Sequence, residues 1–161
     1  MPYEIERKFL VTGAFEHLAF SKKRIKQGYL AFSQTSTVRV RTKGEKGYLT
    51  IKGKPALGSF TRYEWEKEIP LQDAEELLTL SIGGLIDKYR YEVKVGNHVF
   101  EVDEFLGANL GLLVAEVELT NEDEAYERPD WVGQEVTGDK RYNNSHLSAH
   151  PYTEWNTNIN D

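Results

Sequence analysis

Charged residues in this chain recur two apart in one candidate strand after another, and along a strand residues i and i+2 share a face. Glu4, Glu6 and Lys8 form one such set, with Ile5 and Phe9 among the intervening positions. Arg39 and Arg41 alternate with Val38 and Val40, and Thr50 and Lys52 with Leu49 and Ile51. Arg62, Glu64, Glu66 and Glu68 surround Tyr63, Trp65 and Lys67. Lys88 and Arg90, Glu101 and Asp103, and Glu116 and Glu118 continue the pattern. An ordinary solvated face mixes signs, whereas most of these sets are nearly pure in sign. Like charges on one face repel, so each set needs opposite charge from a neighbouring strand or a bound ion. Closing the strands into a barrel brings the sets together around a polar lumen.

The strands that carry this pattern are expected at about 3–10, 24–32, 36–43, 47–53, 60–69, 87–95, 98–105 and 113–120. Gly44-Glu45-Lys46-Gly47 reads as the turn between two of them, and Gly96-Asn97 as a two-residue hairpin. Helices are expected at 12–19 with Thr12 as its cap, at 71–82 after Pro70, and at 139–149 before Pro151. No repeat, low-complexity segment or Pro/Gly-rich linker divides the chain. The expected fold class is therefore α+β: a closed eight-stranded antiparallel β-barrel, or tunnel, with a charged lumen and a few flanking helices. One domain is expected over residues 1–151, followed by a polar, poorly ordered tail over 152–161.

Composition narrows the function classes. The chain has 161 residues, 39 % of them apolar and 29 % charged, as a soluble globular domain has. No apolar run approaches the roughly 18 residues that cross a bilayer, and no signal peptide is legible, so a cytoplasmic protein without a membrane is expected. Cysteine is absent, which removes disulfides, thiolate metal sites and cysteine nucleophiles. The net charge of −6 argues against a protein that coats nucleic acid.

Clustered carboxylates suit a hard divalent cation, Mg²⁺ or Mn²⁺. Clustered Arg and Lys suit a polyanion, because guanidinium forks match phosphate oxygens. A lumen holding both is either a phosphoryl- or nucleotidyl-transfer site or a purely structural ion-pair network.

In order along the chain stand Glu4-Ile5-Glu6-Arg7-Lys8-Phe9-Leu10, Arg39-Val40-Arg41, Thr50-Ile51-Lys52-Gly53 and Arg62-Tyr63-Glu64-Trp65-Glu66. Lys88-Tyr89-Arg90-Tyr91, Glu101-Val102-Asp103, Ala115-Glu116-Val117-Glu118-Leu119, Gly133 to Asp139 and Arg141 to Asn144 follow. The first string resembles the ExExK signature of the CYTH family, the triphosphate tunnel metalloenzymes, and the ordered set resembles that family's tunnel strands over roughly residues 3–151. The resemblance implies an eight-stranded tunnel that binds triphosphate with divalent metal. It implies metal carboxylates at Glu4, Glu6, Glu116 and Glu118, with Glu64, Glu66 and Asp103 as further candidates. Phosphate-gripping cations are implied at Lys8, Arg39, Arg41, Lys52, Arg62, Lys88 and Arg90.

Glu6 and Glu66 are the carboxylates expected to activate water. Tyr29, in Gln27-Gly28-Tyr29-Leu30, is expected to place the water or the terminal phosphate, with packing as its bland alternative. The compact form of the chain resembles the inorganic tripolyphosphatase branch. Expected activity is hydrolysis of the terminal phosphate of a triphosphate, most simply inorganic tripolyphosphate. Class IV adenylyl cyclase-like chemistry, thiamine triphosphatase activity and a non-catalytic polyphosphate- or nucleotide-binding module are the alternatives. The implied partner is a small polyphosphate, tripolyphosphate or a nucleoside or thiamine triphosphate, and a homodimer is compatible with the sequence. His146 and His150 lack a third ligand for zinc, and Trp65, Trp131 and Trp155 are expected to pack. Asp139 to Tyr142 either close one mouth of the tunnel or lie on a surface helix.

Overall fold

The structure is a computed structural model that describes residues 3–158. Eight strands close on themselves: β1 (Tyr3–Val11), β8 (Leu113–Glu118), β7 (His98–Phe105), β6 (Ile82–Val95), β2 (Ala19–Phe32), β3 (Ser36–Lys43), β4 (Lys46–Gly53) and β5 (Thr61–Ile69), which returns to β1. Neighbours around the barrel are antiparallel. β1 changes partner along one edge. Tyr3 to Ile5 pair with β5, while Phe9 and Val11 pair with a ninth strand, β9 (Val132–Glu135). That short strand escapes the alternation pattern because it has only four residues.

The turns follow the glycines. Gly44 (φ +59°) and Gly96 (φ +60°) begin two-residue connections, closed by the Lys43–Lys46 and Val95–His98 pairs. Gly47 lies inside β4 because α1 (Leu71–Leu78) packs there: a Cβ at Gly47 would lie 2.6 Å from the Ala74 Cβ. Two strands are longer than alternation suggests, since β2 begins at Ala19 and β6 at Ile82.

The expected helices shorten for local reasons. Thr12 does not cap a helix, because the backbone N–H groups of Thr12 and Gly13 both donate to the Trp131 carbonyl; only residues 16–18 make a 3₁₀ turn. The helix after Pro70 stops at Leu78, where Ser81 Oγ donates to the Leu78 carbonyl at 2.7 Å. Extended backbone at Asn143 divides the last segment into a 3₁₀ turn over 140–142 and α2 (Asn144–Ala149).

The apolar residues form two bodies. Phe9, Phe15, Tyr91, Val93, Phe100, Val102, Val117 and Trp131 pack outside the barrel wall. Ile86, Phe105, Leu112, Val114, Val136, Tyr142 and Leu147 pack at one end, joined by Leu10, Tyr152 and Trp155. The expected disorder of the tail therefore does not hold at its start. The Tyr152 N–H donates to Asn109 Oδ1 at 2.8 Å, and Trp155 Nε1 donates to the His150 carbonyl at 3.0 Å. Residues 159–161 of that tail lie outside the described residues. Among the described residues no helix is long and apolar enough to cross a membrane.

Candidate active site

Directly paired residues of antiparallel strands project to the same side, so the register assigns the lumen. Glu6 faces Glu118, Lys8 faces Glu116, and Glu116 in turn faces Glu101. Glu4 faces Arg62, Lys52 faces Glu64, and Thr50 lies between Arg39 and Glu66. Arg90 faces Asp103. Along four strands the same face then turns apolar: Lys8 gives way to Leu10, Glu116 to Val114, Asp103 to Phe105 and Lys88 to Ile86. Tyr142 and Leu147 pack on that apolar end. Two lumen cations reach the same segment, with Lys8 Nζ 3.4 Å from the Tyr142 carbonyl and Lys88 Nζ 3.3 Å from Asn144 Oδ1. Of the two expectations for Asp139 to Tyr142, closure of one mouth is the one met at Tyr142.

The carboxylates of β1, β7 and β8 make an acidic wall. Burial opposes ionisation of Glu4, yet Lys52 and Arg62 prevail and hold it well below the usual carboxylate range. Lys52 Nζ is 3.1 Å from both Glu4 oxygens, and Arg62 Nε is 3.0 Å from Oε1. Burial together with the Glu116 and Glu4 charges pushes Glu6 up to about 8. Its neighbour Glu116 is held low: burial is outweighed by Lys8, whose Nζ is 3.6 Å away, and by a hydrogen bond from Glu6. The Glu6–Glu116 pair therefore binds its first proton more tightly than an ordinary carboxylate does. Burial and the Glu4 and Glu101 charges raise Glu118 as well.

The opposite wall is cationic. Arg41 Nη2 lies 3.3 Å and Arg39 Nη2 3.8 Å from Glu66 Oε1, which also accepts from Thr50 Oγ1 at 2.7 Å. Burial, then Arg39 and Arg90, lower Arg41 to about 10. Lys43 is lowered by burial, then by Arg90 and Arg41, so it belongs to the same field. Nothing in the sequence reading singled out Lys43, although it continues the Arg39, Arg41 spacing by one step. Glu101, read as part of the charged pattern but given no role, lies 3.5 Å from Arg90, and the buried Gln27 was likewise missed.

Two expected residues have other engagements. Asp103, expected among the metal carboxylates, holds Lys88 Nζ at 2.7 Å and Arg90 bidentately at 2.8 and 2.9 Å. Both of its oxygens are thus occupied by cations, as those of Glu4 are by Lys52, but Asp103 holds a lysine and an arginine at shorter distances. Glu66, expected as a base, is held below the usual range: burial is outweighed by the Thr50 hydrogen bond and by Arg41 and Arg39. Tyr29 sits opposite Arg39 on the lumen side and stacks on Phe32 at 5.1 Å between ring centroids.

A divalent cation fits the chemistry of this donor set. Glu6 stands in register with Glu118, and Glu116 with Glu101; such like-charge pairs are unfavourable until a proton or cation intervenes. Among the described residues no group of three such ligands is already gathered around one point. Lys8, Lys52 and Arg62 are interleaved with the carboxylates and hold them apart.

A charged barrel with an acidic wall facing a basic one is the architecture of a triphosphate tunnel. The CYTH domain family matches residues 2–150, and the chain belongs to that family, which implies a divalent metal. It is 46 % identical over 154 residues to the inorganic triphosphatase of Acetivibrio thermocellus, covering 94 % of this chain and 97 % of that one. Against the inorganic triphosphatase of Nitrosomonas europaea it is 37 % identical over 149 residues, covering 90 % and 96 %. A crystal structure of an inorganic triphosphatase superimposes with a TM-score of 0.66 at 34 % identity, over 90 % of this chain and 93 % of that one. At 17 % identity, a Hippeastrum protein shares the fold, with a TM-score of 0.56 over 73 % and 80 % of the two chains.

Proposed function

We propose that this chain is a metal-dependent inorganic triphosphatase that hydrolyses the terminal phosphoanhydride of tripolyphosphate, giving pyrophosphate and phosphate. The observation that carries this reading is the two-walled lumen, with Arg39, Arg41, Lys43, Lys88 and Arg90 facing Glu4, Glu6, Glu101, Glu116 and Glu118. A linear chain of phosphates presents charge all along its length, and a tunnel of this kind meets it with cations along the barrel. The 46 % identity to an inorganic triphosphatase supports the same substrate.

Mg²⁺ or Mn²⁺ would be held by Glu4, Glu6, Glu116 and Glu118, with Glu64 beside them, and would offset phosphate charge while polarising the scissile phosphorus. Arg39, Arg41, Lys52, Arg62, Lys8, Lys88 and Arg90 bind the phosphate oxygens and stabilise charge on the transferring group. Asp103 fixes Lys88 and Arg90, and Glu66 fixes Arg39 and Arg41, so both carboxylates aim cations. The Tyr29 hydroxyl donates to a terminal phosphate oxygen or accepts from the attacking water. With a divalent cation held beside it, Glu6 would be ionised and would accept a proton from that water. Tyr142 and Leu147 pack at the apolar end and would restrict the entry of water there. A cytoplasmic enzyme, acting alone or as a homodimer, is consistent with this chemistry.

The test is a panel: phosphate release from tripolyphosphate, thiamine triphosphate and ATP with Mg²⁺, with cyclic AMP and pyrophosphate measured in parallel. Tripolyphosphate is expected to have the largest kcat/KM. An equal or larger value for ATP with cyclic AMP as product overturns the reading in favour of a cyclase.

A further inference from the structure

Gln27 is completely buried, yet neither its Nε2 nor its Oε1 has a hydrogen-bond partner. Buried polar groups almost always have one, so a carboxamide lacking both needs an explanation. Register places it at a boundary. It lies opposite Arg41 on β3 and opposite Ile86 on β6, where the basic wall meets the apolar end of the barrel. Ile25 and Tyr29 flank it at i−2 and i+2 on the same face.

The unmatched groups form a patch. Besides Gln27, the other buried unpartnered side-chain atoms among the described residues are the Nε of Arg41, directly across the strand pair, and the Nε of Arg39, one step further along. Three residues thus present N–H donors and a single acceptor, Gln27 Oε1. A deprotonated phosphate satisfies donors only. The acceptor needs a donor of its own, and once the arginine N–H groups are turned to the anion, a water bound beside the phosphate supplies an O–H.

We propose that Gln27 is a substrate-contacting residue of the tunnel, donating through Nε2 to a phosphate oxygen and accepting through Oε1 the O–H of a water bound beside that phosphate. This rests on the triphosphatase reading for the identity of the anion. The neutral amide suits the place: it offers a donor to the polyanion without adding to the repulsion among Arg39, Arg41 and Arg90, and an acceptor that carries no full negative charge.

Gln27→Met keeps the length of the side chain and matches Ile25 and Ile86. Its melting temperature is expected to equal or exceed that of the wild type, while kcat/KM for tripolyphosphate with Mg²⁺ falls at least about tenfold. Gln27→Glu, nearly isosteric, places a carboxylate against the phosphates and is expected to lose at least as much. A purely structural amide gives the opposite result: a lower melting temperature with unchanged kinetic constants in both variants, and that outcome overturns the proposal. The wild type decides the reading beneath it. If the wild type cleaves another triphosphate instead, the variants are compared on that substrate. If it binds tripolyphosphate without cleaving it, titration calorimetry replaces turnover, and equal affinities for wild type and both variants overturn the role of Gln27. A wild type that neither binds nor cleaves any of these triphosphates overturns both proposals.

Discussion

Glu6 of β1 stands directly opposite Glu118 of β8, two carboxylates in register on the lumen face. Burial, then the Glu116 and Glu4 charges, push Glu6 up to about 8. A carboxyl raised from its ordinary 4.5 binds its proton more tightly in the folded state than in the unfolded one. Its contribution to stability is full below about pH 4.5 and is lost as pH rises towards 8. The metal-free protein is therefore expected to melt several degrees lower at pH 8.5 than at pH 6. Glu6→Gln should flatten that dependence, and Mg²⁺ should restore the wild type at high pH. Thermal melts across pH, with chelator and with Mg²⁺, check it; an identical slope in Glu6→Gln would show that the burden lies on other groups.

Glu4 answers differently to the same change. It is clasped by Lys52 and Arg62, and removing one member of a buried charge cluster leaves the others uncompensated. Glu4→Gln is expected to cost about 3 kcal/mol, a fall in melting temperature of roughly 6–12 °C. Glu6→Gln should be neutral or stabilising above pH 7. Both variants should lose most Mg²⁺-dependent activity. Full activity of either at limiting Mg²⁺ would remove that residue from the metal set.

Much of this arrangement was legible in the sequence because period-2 alternation reports faces directly. The sign-pure pairs at 39/41, 88/90, 101/103 and 116/118 gave away the charged lumen, and register sorted them into two walls. Alternation could not show which carboxylates would be taken up by cations. That depends on the neighbouring strand, and only register reveals Asp103 between Lys88 and Arg90. Gln27 escaped because it is uncharged, and β9 because four residues carry too little pattern. The expected helix at 12–19 failed through a long-range hydrogen bond, from Thr12 to the Trp131 carbonyl, that no local propensity encodes.

Lys88 is 1 % exposed and depends on Asp103 for its charge; burial already lowers it to about 8. Asp103→Asn is expected to lower it further and to destabilise the fold by about 3–5 kcal/mol at pH 7. A lysine depressed in the folded state regains that loss as pH rises past its folded value, so the variant's melting temperature should climb relative to wild type as pH rises towards 8, above which both climb together. A pH-independent difference would mean that the cost is one of shape alone.

Arg41 reaches Glu66 with one nitrogen and leaves another unmatched in the lumen. Arg41→Ala is expected to remove charge-assisted hydrogen bonds worth about 1.5–3 kcal/mol, weakening tripolyphosphate roughly 10- to 150-fold. Pyrophosphate, with fewer oxygens to grip, should lose less. Calorimetric titration with both anions reads the difference, and equal affinities for wild type and variant would exclude Arg41 from contact.

Tyr29 poses the sharpest choice between packing and chemistry. It is one of nine tyrosines, it is buried to 5 % exposure, and its ring stacks on Phe32. That much is a packing role, and phenylalanine would serve it equally. The hydroxyl is a separate matter. β2 places Tyr29 opposite Arg39, on the face that carries the basic wall, and two residues from Gln27. There an O–H can donate to a phosphate oxygen and accept from water, which a phenyl ring cannot do. Tyr29→Phe keeps the stacked ring and removes only this group. Turnover of tripolyphosphate is expected to fall at least about tenfold, or roughly 1.4 kcal/mol of transition-state stabilisation, with the melting temperature nearly unchanged. Unchanged turnover would leave Tyr29 with its packing alone, and a marked fall in melting temperature would reveal a structural hydrogen bond instead.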